Sequence, residues 1–86
     1  MPSSAQNPKS NSRALKVWFT DEHICLKLSD GREIKTPLEF YPRLKKASDQ
    51  DRKAFELDSS GTSIHWPKLD EDLTVEGIVL GRSALI

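Results

Sequence analysis

His65, Asp70, Glu71 and Asp72 form the one cluster in this 86-residue sequence with the makings of a metal or acid–base site. Carboxylates and an imidazole are suitable ligands for a divalent ion. The spacing favours a plainer use. On a regular strand, His65 points away from Ile64 and Trp66. Three consecutive acids ahead of a helix sit where the positive end of its dipole favours negative charge. One of them can also accept backbone N–H bonds in the turn after Pro67. A partner-facing acidic patch and a metal are the alternatives, and no metal or cofactor is expected.

A second pairing is His23 with Cys25, two residues apart on one face of a strand. Together they have the parts of a thiolate–imidazole couple. No third group is evident to orient the imidazole, and a lone strand cysteine is usually inert packing. The four glycines are scattered at 31, 61, 77 and 81, so no phosphate-cradling loop is present. Cys25 is the single cysteine, which excludes an intramolecular disulfide or a cysteine zinc cluster within one chain. No enzyme is expected.

Binding residues are easier to nominate. Arg43, Lys45 and Lys46, joined by Arg52 and Lys53, make the densest basic stretch. A solvated helix face is the simplest reading, and contact with phosphates or an acidic partner is the alternative. Tyr41 beside them has a ring that can stack on a base. Trp18 falls on the polar side of its strand, so either helices cover that side or Trp18 marks a binding surface. Trp66, followed by Pro67 and Leu69, reads as a core plug for the last loop, with a partner anchor as the other reading.

Several elements must position these residues. From Ala14 to Leu28 apolar residues recur with period two: Leu15, Val17 and Phe19, then Ile24, Leu26 and Leu28. Such alternation marks half-buried antiparallel strands. Asp30-Gly31 predicts a tight type I′ hairpin turn, and Ile34 and Thr36 continue a third strand to Pro37. The expected fold class is α+β, beginning with an antiparallel three-stranded meander over about 14–37. Leu38, Tyr41, Leu44 and Ala47 then recur at helical spacing, with Pro42 suited to a first turn. Ser48 resembles an N-cap with acids after it and bases later, so short helices are expected over about 40–54. A second hairpin should span about 55–66, turning at Asp58 to Gly61 and stopped by Pro67. Thr74 is placed to cap a short C-terminal helix over about 74–80, with Gly81 ending it. Gly77 should weaken that helix by about 1 kcal/mol relative to alanine.

Size and composition bound the function classes. The length allows one domain with a modest core, here expected over 14–86. Residues 1–13 contain only Met1 and Ala5 from the apolar set and are expected to form a disordered tail. The terminal SALI is expected to fray. No stretch approaches the roughly 18 apolar residues of a membrane span, and no signal-peptide core is present. A cytoplasmic protein is expected. The chain holds 13 basic and 13 acidic residues, and because the tail takes Lys9 and Arg13, residues 14–86 carry 11 and 13, a net of −2. That balance argues against bulk attraction to nucleic acid.

Three segments, Ser29 to Leu38 (SDGREIKTPL), Phe40 to Ser48 (FYPRLKKAS) and Ser63 to Gly81 (SIHWPKLDEDLTVEGIVLG), carry a resemblance to the DUF2442 family of small uncharacterised bacterial proteins. In order and spacing they cover roughly 14–81, and the string from Trp66 to Gly77 is the most specific. The resemblance implies an α+β domain found ahead of a helix-turn-helix or as a stand-alone chain, often the antitoxin-like partner of a neighbouring small protein. It supplies no catalytic residues, and with the sequence ending at Ile86 no following helix-turn-helix is expected. The leading expectation is a non-enzymatic interaction module whose partner is a protein, encoded next door. The alternative is a nucleic-acid-associated accessory domain using the Arg43 to Lys53 face, with nucleic acid reached only indirectly. No membrane partner is expected, and an open sheet edge would permit a homodimer.

Overall fold

Alternating apolar and polar side chains between 14 and 37 produce three antiparallel strands, β1 (Ala14–Phe19), β2 (His23–Leu28) and β3 (Glu33–Pro37), paired in the order β1-β2-β3. The computed structural model describes residues 12–81. The expectations of a disordered tail and a frayed terminus fall mainly on 1–11 and 82–86, outside the described residues. Arg13 is described, and its carbonyl accepts a hydrogen bond from Ser29 N–H at 2.9 Å.

Two details of this meander depart from expectation. The pairing of β1 with β2 shifts between Ala14 and Lys16, so that Leu15 is an extra residue at a bulge. Ala14, 4% exposed, takes the core position, and Leu15 is 66% exposed. The cause lies in Gly61. Its carbonyl accepts from Ala14 N–H at 2.8 Å, and a Cβ there would come within 2.8 Å of the Ala14 carbonyl oxygen. Glycine at 61, with no Cβ, permits so close an approach. The second departure is the β2–β3 turn. Gly31 has φ of 96°, while Asp30 has no positive φ, so the turn is not type I′. Gly31 N–H donates to Leu28 O and Leu28 N–H to Arg32 O, which makes a three-residue loop ending in a left-handed glycine.

The helical region follows its local signals. A 3-10 turn (Leu38–Phe40) leads to α1 (Pro42–Lys46) and α2 (Asp49–Lys53). Pro42 occupies the first turn of α1, where its missing N–H costs nothing. Ser48 caps α2, its Oγ accepting from Asp51 N–H at 3.1 Å.

A second antiparallel sheet has three strands: β4 (Glu56–Leu57), β5 (Ser63–Trp66) and β6 (Glu71–Thr74), in that order. The hairpin β4–β5 matches expectation, with Asp58 organising its turn by accepting from Thr62 and Ser63 N–H. Strand β6 is the element that the sequence did not disclose. Thr74 caps α3 (Val75–Val79), its Oγ1 accepting from Gly77 N–H at 2.9 Å. A Cβ at Gly77 would approach that oxygen to 2.8 Å, so glycine leaves room for the cap there.

One apolar cluster joins the two sheets and the helices. Ile24, Leu26 and Leu28 from the first sheet meet Ile64 and Trp66 from the second, closed by Leu38, Tyr41 and Leu44 and by Val75 and Ile78 of α3. Phe55 links the sheets by tilted contacts to Phe19 and Trp66, each with ring centroids 6.2 Å apart.

Candidate interaction face

The residues between 41 and 53 that look available for a partner are largely consumed by the fold. Tyr41 is 2% exposed and belongs to the core, so its ring is not placed to stack on a ligand. Burial pushes its hydroxyl pKa up, with the charge of Glu71 adding to the effect. Arg52 is 8% exposed. Its guanidinium donates to the carbonyls of Leu44, Lys45 and Ala47 and pairs with Asp49. These carbonyls end α1, where the helix leaves them short of donors; that of Leu44 also accepts from Ala47 N–H at 3.2 Å. Arg43 donates to the carbonyl of Asp70 at 2.7 Å, tying α1 to the β5–β6 turn. Of the nominated bases, Lys45, Lys46 and Lys53 present exposed side chains without a hydrogen bond or ion pair among the described residues.

The segment from Trp66 to Leu73 is a hairpin and not a helix entrance. Pro67 to Asp70 form its turn, with Leu69 N–H donating to Trp66 O, and Trp66 faces Glu71 across the strands. Asp70 has φ of 52°, a left-handed conformation that aspartate tolerates better than most residues. Trp66 is 0% exposed, and its indole N–H donates to the carbonyl of Arg52 at 2.9 Å. Leu69 packs against the core. Glu71 and Asp72 lie on β6, three and two residues ahead of the α3 cap Thr74 and outside its first turn, so the helix-dipole account of the acids does not apply. A local reading of LDEDL misses the strand because its pairing partner, β5, decides it.

His65 sits between Glu56 and Asp72 in one cross-strand row, and its Nδ1 meets Asp72 Oδ1 at 2.5 Å. Both side chains are exposed to solvent, where such a pair contributes little. Among the described residues no group of three or more His, Cys, Asp or Glu side chains could hold a metal ion. Cys25 is 0% exposed, and burial pushes its thiol pKa up although Lys35 opposes this. That is the reverse of an activated thiolate. His23 instead shares a contact with Thr20 Oγ1 at 3.4 Å.

What remains is the outer face of the first sheet. The register aligns two rows across it: Trp18, Cys25 and Lys35, then Lys16, Lys27 and Glu33. Lys16, Glu33 and Lys35 are exposed, Lys27 and Trp18 are half-buried, and the helices pack into the core from the other side. Lys16 Nζ lies 5.6 Å from the centre of the Trp18 ring, a cation–π contact. Lys27 pairs with Glu33 at 3.8 Å. Trp18 is therefore neither covered by helices nor fully exposed. Its lysine neighbours were legible as alternating polar positions, but only the register brings them into one patch.

The comparisons with known proteins bear on the fold. A family model described as protein of unknown function (DUF2442) matches residues 14–84. A crystal structure of a protein of unknown function from Rhodospirillum rubrum superposes with a TM-score of 0.73 at 28% identity, covering 85% of this chain and 90% of that one. The solution structure of an uncharacterised protein from Chromobacterium violaceum gives 0.68 at 22% identity, covering 84% and 68%. No curated protein matches the chain.

Proposed function

The chain belongs to DUF2442, a family of proteins of unknown function, and from that premise we propose that it is a non-enzymatic, cytoplasmic protein-interaction module. Its working surface is the outer face of the first sheet. The observation that carries this reading is Trp18. It is half-buried on the sheet face turned away from the core, beside exposed Lys16 and Lys35 and over the covered Cys25, while the arginines and Tyr41 of the helical region are engaged in the fold. Tryptophan is enriched among residues that dominate binding energy at interfaces. The antitoxin-like role implied by the resemblance is the narrowest form of this reading: the chain holds a small protein encoded next to it. A nucleic-acid role through the helical face keeps Lys45, Lys46 and Lys53, without Tyr41 or either arginine.

Co-expression with the neighbouring gene product is the test. A complex should purify, and Trp18→Ala should abolish it while leaving the circular dichroism spectrum unchanged. Absence of a complex, or a complex indifferent to Trp18→Ala with Trp18 fluorescence unaltered on binding, counts against this surface.

A further inference from the structure

Charge is sorted between the two sheets although the whole chain is neutral. The outer rows of the first sheet carry Lys16, Lys27 and Lys35 against Glu33 alone. The outer row of the second carries Glu56 and Asp72 on either side of His65. In the first sheet Lys16 and Lys27 stand directly opposite each other, a pairing that costs stability. Glu33 offsets Lys27, Lys16 leans over Trp18, and Lys35 has no ion pair among the described residues. One carboxylate among three lysines compensates this broken local rule only in part, which is the mark of a surface shaped for something outside the fold.

We propose that this face takes an extended acidic polypeptide segment, with carboxylates on Lys16, Lys27 and Lys35 and an apolar side chain against Trp18. This rests on the interaction-module reading and specifies the partner's chemistry. A short segment touching only this face feels its local charge, because screening confines the interaction to about 8 Å at physiological salt. A long polyanion instead meets the whole surface, and residues 14–86 carry a net of −2. Stacking of bases needs an open ring face, whereas Lys16 sits over the Trp18 ring and the side chain is half-buried. Residues 1–11 and 82–86 do not supply the segment, since they contain no Asp or Glu. A second copy offers Glu56 and Asp72, but their rows, with Ser63, His65 and Thr74, present no apolar side chain to cover Trp18.

The experiment is an amide chemical-shift titration of the 15N-labelled full chain. The probes are a peptide of alternating Glu and Val, its Lys–Val counterpart and oligothymidylate of equal length. The Glu–Val peptide should shift Lys16, Trp18, Cys25 and Lys35 together with the Trp18 indole. Lys35→Glu should weaken that binding about tenfold, and high salt should weaken it as well. No shift on this face, or shifts centred on Lys45, Lys46 and Lys53, overturns the proposal. So does a larger response to oligothymidylate, or concentration-dependent shifts of the same residues without any probe, which would mark a second copy. A neighbour complex lost in Trp18→Ala but unaffected by Lys35→Glu would keep the module reading and remove the acidic partner.

Discussion

Each of the two sheets carries one tryptophan, and the two are treated oppositely. Trp66 points inward from β5, loses all exposure and spends its indole N–H on the Arg52 carbonyl. Trp18 points outward from β1, stays half-buried and is met by a lysine ammonium from its own strand. The same contrast holds for the cations. Arg52 is enclosed among carbonyls that it satisfies, while Lys45, eight residues after Pro37, faces solvent. A planar guanidinium with five donors suits the end of a helix, and a point-like ammonium does not. Aromatic or basic character alone therefore says little about availability. In this molecule the buried member of each pair holds the fold together, and the other member is left outside the core.

The tryptophan pair offers the largest expected effect. Trp66→Ala should lose about 3–5 kcal/mol through the cavity and the unpaired Arg52 carbonyl. That approaches the whole stability of a domain this small, so the variant should be unfolded or nearly so in a urea titration. Trp18→Ala should cost less than about 1 kcal/mol. Equal losses at the two sites would break the comparison. Next comes the cation pair. Arg52→Met should lose about 2–3 kcal/mol by the same measurement, because it leaves the Lys45 and Ala47 carbonyls without their donor. Lys45→Met should stay within about 0.5 kcal/mol.

The smallest effect is a pH dependence at the β4–β5 turn. The Ser60 hydroxyl and then the Thr62 and Ser63 N–H groups hold the Asp58 carboxyl below its ordinary 3.8. A carboxyl with a lowered folded pKa binds fewer protons folded than unfolded. Its contribution is full above about pH 4 and drains away as pH falls through the lowered value. In urea titrations at several pH values, Asp58→Asn should flatten its share of that acid limb and leave the share of Asp30, whose carboxyl the Arg32 N–H holds low at the β2–β3 turn.

Most elements were legible from local chemistry. Strands β1 to β3 follow the alternation of Val17 to Leu28 and the turn signal at Gly31. The ends of α2 and α3 follow from Ser48 and Thr74, whose caps act within three residues. The features that escaped reading depend on residues far apart in the chain. Leu15 was expected in the core, yet it is displaced outward because Gly61 approaches Ala14. Strand β6 exists because Leu73 and Asp72 have Ile64 and His65 to pair with. Arg52 and Tyr41 looked like surface residues of a basic helix, and enclosure by α1 and the core removed them from it.

The candidate face shows the same division. Period-two alternation determined by itself that Trp18, Cys25 and Lys27 lie opposite Val17, Leu26 and Leu28. That is a property of the extended backbone, whatever surrounds it. Only the tertiary structure decided that Lys16, Lys27 and Lys35 share adjacent rows with Trp18, and that the helices cover the other side. Cross-strand register is set by turns and bulges, and core packing chooses which face is buried; neither is written in any single stretch of sequence.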